Sequence, residues 1–275
     1  MWQKWSESFM QKEVAHMSAK TDYRTVTEIP GDQGTREQLE RMFHRYHFAA
    51  IFCSGKEVLE VACGAGQGLG YLASKAKRLV GGDYTKSLVN LAKDYYRDRV
   101  EVQQLDAHQL PFGDKSFDVV ILYEAIYYLA KPEGFFQEAR RVLRNGGVLL
   151  VATVNKDWSE FNPSPFSILY FSVPELHELL VKNGFNVEFY GAFLTLSKGF
   201  KDKIVGFLKR TAVTLHLIPK TMKGKEFLKR IFWGKLIPLP PEIKDGMTEY
   251  IPPLPISHDA PNIEYKVIYA VARVQ

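Results

Sequence analysis

The run Val58-Leu59-Glu60-Val61-Ala62-Cys63-Gly64-Ala65-Gly66-Gln67-Gly68 constrains this chain most. It is an apolar stretch that breaks into glycines and leads directly into Leu69-Gly70-Tyr71-Leu72-Ala73. Residues without a Cβ let backbone pass close to a ligand, so a small cofactor is expected on a strand-to-helix turn here. The spacing narrows which cofactor. A dinucleotide fingerprint needs Gly-x-Gly-x-x-Gly, but Leu69 stands at the third position counted from Gly64, and Tyr71 counted from Gly66. A phosphate loop of the Gly-x-x-x-x-Gly-Lys-Ser/Thr type is absent as well, because no lysine follows the glycines.

Further along, apolar strand patterns alternate with helical ones. Strands are expected at Glu57–Ala62, Arg78–Asp83, Val100–Leu105, Phe117–Tyr123, Val148–Val154, Asn186–Phe193 and Glu264–Val274. Helices are expected from Arg36 to Phe52, from Pro132 to Leu143, and from Val173 until Asn183-Gly184 ends the last. Near-continuous apolar strands separated by helices predict a mostly parallel α/β sheet covered on both faces.

The motifs, taken in order, resemble the class I S-adenosylmethionine-dependent methyltransferases. Glu60, Ala62, Cys63, Gly64 and Gly66 stand as that family's motif I. They are followed by Asp83 after the second strand, by Gln104-Leu105-Asp106-Ala107, by Leu110-Pro111-Phe112 with Ser116-Phe117-Asp118, and by Glu138 to Gly147 before the fifth strand. The resemblance covers roughly residues 40–196 and the C-terminal strand. It implies a Rossmann-like sheet of seven strands, the last antiparallel and inserted between strands five and six, with a C-terminal cap inserted before it.

It also implies S-adenosylmethionine as cofactor and a set of roles. Gly64 and Gly66 would seat the amino acid end, Glu60 would take the ammonium, and Tyr46 or Arg45 the carboxylate. Asp83 would accept the ribose hydroxyls, and Asp106 and Ala107 would hold the adenine. Leu105 and His108 are candidates to wall the ring, Tyr84 stacks nearby or packs in the core, and Ala62 and Tyr123 complete the expected lining. Methyl transfer needs little covalent help, and what distinguishes acceptors is deprotonation. Glu124, after the fourth strand, is the candidate base; its alternative is a bond to the N-terminal helix or the ribose edge.

Three segments are expected: an N-terminal arm over 1–35, loosely held; a cofactor-binding domain over 36–196 and 263–275; and an insertion over 197–262. A structureless connection of that length inside a compact domain is improbable, so a subdomain is expected. The insertion is basic and aromatic together. Residues 198–240 hold eleven Lys and Arg against two Asp and Glu, so the rest of a chain of net charge +5 is net acidic. This pattern suits an anionic membrane surface, a lid over an apolar acceptor, or a helical cap with its own core.

The cysteines, Cys53 and Cys63, form no Cys-x-x-Cys pair. With no signal-like start and no run long enough to span a bilayer, a cytoplasmic protein, at most peripheral to the membrane, is expected. No metal site is suggested. Nucleobase amine methylation would call for Asn/Asp-Pro-Pro-Tyr/Phe after strand four, where Glu124-Ala125-Ile126-Tyr127 stands, and base C5 chemistry needs a placed cysteine. Nucleic acid is therefore argued against. The expected function is methylation of oxygen or nitrogen on a small or lipid-linked acceptor. The alternatives are a quinone or lipid methyltransferase at the membrane surface, and a non-catalytic cofactor-binding module.

Overall fold

The computed structural model describes residues 22–195 and 236–275. The first helix, α1, spans Arg36–Cys53 and opens on a capping box: Thr35 Oγ1 accepts from the Gln38 N–H, and Gln38 Oε1 accepts from the Thr35 N–H. Strand β1, Glu57–Val61, then leads through the glycine turn into the short helix α2, Leu69–Ala73. Next come β2 at Arg78–Asp83, α3 at Lys86–Tyr96, β3 at Glu101–Gln104 and β4 at Phe117–Tyr123. The helix α4, Pro132–Val142, begins on its proline and feeds β5, Leu143–Val154. Finally α5 spans Val173–Lys182, β6 Phe185–Leu194, β7 Leu254–Ile256 and β8 Tyr265–Val274.

The strands form one sheet in the order β3-β2-β1-β4-β5-β8-β6-β7. Strands β1 to β5 pair in parallel, and β8 runs antiparallel between β5 and β6. The order reverses beside β1 and β4, so their C-terminal ends face the crevice in which an open parallel sheet binds its ligand. The sheet has eight strands where the sequence reading counts seven. The extra one, β7, is three residues long with Pro255 at its centre, so it carries no alternation to read. It lies antiparallel at the edge of β6, where proline is tolerated.

Two apolar layers cover the sheet. One places Met42, Phe43, Ala49 and Cys53 of α1 with α2 and α3 against Val58, Val119 and Ile121; the other places Phe135, Phe136, Leu176 and Leu180 against Leu59, Val120 and Leu149. Cys53 and Cys63 are both free and buried.

Residues 236–250 run as a strap along the first layer. Leu239 and Ile243 are buried there, Ile237–Pro238 pairs with Gln33–Gly34, and the Ile243 N–H donates to the Gln67 carbonyl at 2.8 Å. Glu242 accepts from Tyr95 and Arg99, and Asp245 accepts from Tyr71 at 2.9 Å. The basic run over 198–235 lies outside the described residues, as do residues 1–21 of the N-terminal arm.

Candidate functional site

The turn after β1 owes its shape to three left-handed residues: Ala62 at φ 60°, Gly64 at 59° and Gly66 at 84°. Alanine tolerates this region poorly, so the loop holds Ala62 under strain of the kind that collects at binding sites. The turn is pinned from two sides. Tyr96 Oη donates to the Gly66 carbonyl at 2.7 Å, and the Gly64 N–H donates to Asp83 Oδ2 at 2.9 Å. Gly68 matters for a different reason, which the sequence did not reveal: a Cβ there would overlap the ring of Tyr46.

These parts enclose a cavity of about 410 Å³, within the range of small-molecule sites. It brings together most of the residues singled out from sequence: Tyr46, Ala62, Gly64, Asp83, Tyr84, Asp106, Ala107, Tyr123 and Glu124, with Arg45, Leu105 and His108. Glu60 and Gly66 are not among the lining residues. Glu60 is 1 % exposed and accepts from Tyr46 Oη at 2.8 Å, while its Oε2 has no partner. Burial raises the Glu60 pKa to about 7, against the Tyr46 bond and the nearby Arg45 charge.

Asp83 ends β2, its oxygens accepting from the backbone of Gly64 and Thr85. Burial lifts its pKa and those two bonds oppose the lift. Each oxygen keeps lone-pair capacity for a ligand hydroxyl. Asp106 behaves oppositely. Bonds from the His108 ring and N–H, both at 2.8 Å, hold it below the usual carboxylate range. His108 thus serves as the partner of Asp106.

Helix α1 sends Gln38, Arg41, Met42, Arg45 and Tyr46 into the cavity, the i, i+3, i+4 stripe of one face. His44 and His47 face the strap instead, His44 Nε2 lying 3.0 Å from the Glu249 carbonyl and His47 3.4 Å from Asp245. Arg45 pairs with Glu28 at 3.1 Å, and its Nε is buried without a partner. Burial works against its charge, but Glu28 and Glu124 outweigh burial and raise its pKa.

Glu124 sits in the left-handed region at φ 51° and its Oε2 accepts from Tyr127 at 3.1 Å. Burial raises its pKa against Arg45 and Arg41. Residues 22–35 were expected to be loosely held. Instead Tyr23, Val26, Thr27 and Glu28 line the cavity, and the Tyr23 ring lies 5.1 Å from that of Tyr128. Polar composition and Pro30-Gly31 hid this, because the contacts are all with distant parts of the chain.

The residues present fit S-adenosylmethionine. A backbone cradle, an acid at the end of β2, an acid and backbone after β3, and the unpartnered buried donors Arg45 Nε and Gln67 Nε2 match its amino acid, ribose and adenine groups. Residues 59–151 match the family model described as a methyltransferase domain. The chain is 37 % identical over 166 residues to a protein of Mycolicibacterium smegmatis described as a probable S-adenosylmethionine-dependent methyltransferase, covering 56 % of this chain and 61 % of that one. A protein of Mycobacterium tuberculosis with the same description is 35 % identical over 180 residues, covering 61 % and 65 %. A fatty-acid O-methyltransferase of M. smegmatis is 38 % identical over 110 residues, covering 38 % and 40 %. The chain thus spans about three fifths of the length of the first two.

Among solved structures, an S-adenosylmethionine-dependent methyltransferase of Thermotoga maritima superposes with a TM-score of 0.52 at 19 % identity, covering 87 % of this chain and 95 % of that one. The cyclase SpnF superposes at 0.57 with 17 % identity, covering 96 % and 92 %. The fold is therefore shared by proteins of differing activity. Residues 59–151 are thus a methyltransferase domain, and over about three fifths of their length the chain is similar to S-adenosylmethionine-dependent methyltransferases.

Proposed function

We propose that the chain methylates a hydroxyl oxygen on a small or lipid-linked acceptor, with Glu124 as the base. One observation carries this reading: a buried carboxylate of raised pKa shares the cavity with the glycine turn, Asp83 and Asp106. S-adenosylmethionine supplies an electrophilic methyl group when bound. Asp83 would then hold the ribose hydroxyls, Asp106 and the Ala107 backbone the adenine, and Arg45 with Gln67 the amino acid carboxylate.

The remaining lining turns to the acceptor. Tyr127, Tyr128, Leu129 and Met42 offer apolar surface, and Glu124 as carboxylate would take the hydroxyl proton. A hydroxyl needs such a base, whereas a free amine or thiolate needs only orientation. The fatty-acid O-methyltransferase among the relatives supports a lipid-class acceptor. Among the described residues no helix is long and apolar enough to cross a membrane. The basic run over 198–235 favours a second reading, action at an anionic membrane surface, which co-sedimentation with anionic and neutral liposomes distinguishes.

The test begins with calorimetric titration by S-adenosylhomocysteine, with NADH as control, followed by transfer of labelled methyl from S-adenosylmethionine to a hydroxylated-lipid panel. Glu124→Gln is expected to lower kcat about 10²–10⁴-fold and to remove the acid limb of the pH–rate profile, with S-adenosylhomocysteine affinity unchanged. A pH-independent loss of less than tenfold would mean that Glu124 only orients the acceptor. Absence of cofactor binding would refute the methyltransferase reading, whereas binding without transfer to any acceptor would favour the non-catalytic module.

A further inference from the structure

The loop from Asn155 to Ser172 exposes three large apolar side chains within four positions: Phe166 at 51 %, Ile168 at 44 % and Leu169 at 49 %. This loop is not loosely tethered. The Ile168 N–H donates to the Tyr127 carbonyl at 2.7 Å, Tyr128 Oη and Ser164 Oγ are 2.6 Å apart, and the Tyr170 ring stacks on that of Tyr127 at 4.7 Å. Tyr170 Oη also accepts from the Ser164 N–H at 2.8 Å. Tyr127, Tyr128 and Ser164 all line the cavity, so the loop that carries the exposed side chains is fastened to that lining.

The turn that presents Phe166 is itself strained. Ser164-Pro165-Phe166-Ser167 closes with the Ser167 N–H donating to the Ser164 carbonyl at 3.2 Å. Proline is at the first central position, and Phe166 follows at φ 66°, where such a turn takes glycine or asparagine. An aromatic in that position, half exposed, gains no core burial to offset the strain. An observed outlier of this kind points to a use.

We propose that Phe166, Ile168 and Leu169 form a platform for the hydrocarbon chain of the acceptor, whose reacting end enters between Tyr127, Tyr128 and Glu124. This rests on the methyltransferase reading above and narrows its acceptor to one bearing an alkyl chain. Charge selects the occupant. Among the loop's own residues Lys156 stands against Asp157 and Glu160, with no cluster of lysines to draw the loop to an anionic bilayer, so a single apolar chain suits it.

Equilibrium dialysis of radiolabelled 1-octanol, 1-decanol and 1-dodecanol against the full chain, with and without S-adenosylhomocysteine, tests the platform directly. Affinity should rise about two- to fourfold for each added CH₂. Phe166→Gly should flatten that dependence while keeping a Tm equal to or above the wild-type value, since glycine relaxes the turn. The double variant Ile168→Ser/Leu169→Ser should also flatten it, with S-adenosylhomocysteine affinity unchanged.

A chain-length dependence that is absent in the wild type, or equally steep in both variants, would overturn the proposal. So would flotation of the wild type, but not the variants, with neutral phosphatidylcholine vesicles, which would make the loop a bilayer anchor. Failure of S-adenosylhomocysteine to bind would strike the methyltransferase reading alone, because the alkanol series reads the platform without it.

Discussion

At the scale of single residues, the site depends on carboxylates in contrasting surroundings. Asp83 is held by two backbone N–H groups, so its position does not depend on ligand. Removing it frees the glycine turn and, on the proposed reading, deletes the acceptor for two ribose hydroxyls. Asp83→Ala should weaken S-adenosylhomocysteine binding at least about 100-fold by calorimetry, since hydrogen bonds to a charged group contribute about 1.5–3 kcal/mol each. Circular dichroism should show the fold retained, and wild-type affinity would refute the assignment. Glu60 makes a different prediction. Its pKa rises from 4.5 to about 7 on folding, so between those values the native state holds more proton than the unfolded chain. Stability contributed by the neutral form is therefore lost as pH rises through that window. Glu60→Gln should flatten this slope and be more stable than wild type at pH 8, by on the order of 1–3 kcal/mol in urea titrations.

Among the elements, the junction of β1 and α2 is the tightest part of the site. Tyr46 descends from α1 to reach Glu60, and its ring occupies the space a side chain at position 68 would need. Gly68→Ala should cost about 1–3 kcal/mol through this overlap, and cofactor affinity should fall with it. Thermal melts of the free and ligand-bound protein would separate the two effects. Much of this region was legible in sequence. Ala62, Cys63 and Gly64 of the glycine turn, the acid ending β2 and the Asp106-Ala107 pair line one cavity. What the sequence did not convey were contacts between distant residues, such as Tyr96 with Gly66 or Glu28 with Arg45, because no local pattern pairs the two partners.

For the molecule as a whole, the strap over 236–250 ties the C-terminal part to the N-terminal segment, α1, α2 and α3. Leu239 packs against Gly34, and Ile243 is anchored on Gln67, itself a lining residue. The strap is therefore part of the fold that shapes the cavity. Leu239→Ala and Ile243→Ala should each cost about 2–4 kcal/mol by denaturant unfolding, and a value below 1 kcal/mol would show the strap to be peripheral.

The local patterns of the sequence were enough to determine the α/β alternation, the glycine turn after β1 and the place of the acids at the strand ends, because period, glycine and strand-end chemistry act over a few residues. Only the tertiary structure decided that residues 22–34 close over the cavity and that His44 and His47 turn from it. It alone added an eighth strand at the sheet edge and exposed Phe166, two residues from the lining residue Ser164. Each of these follows from packing between segments far apart in the chain, which no window of sequence contains.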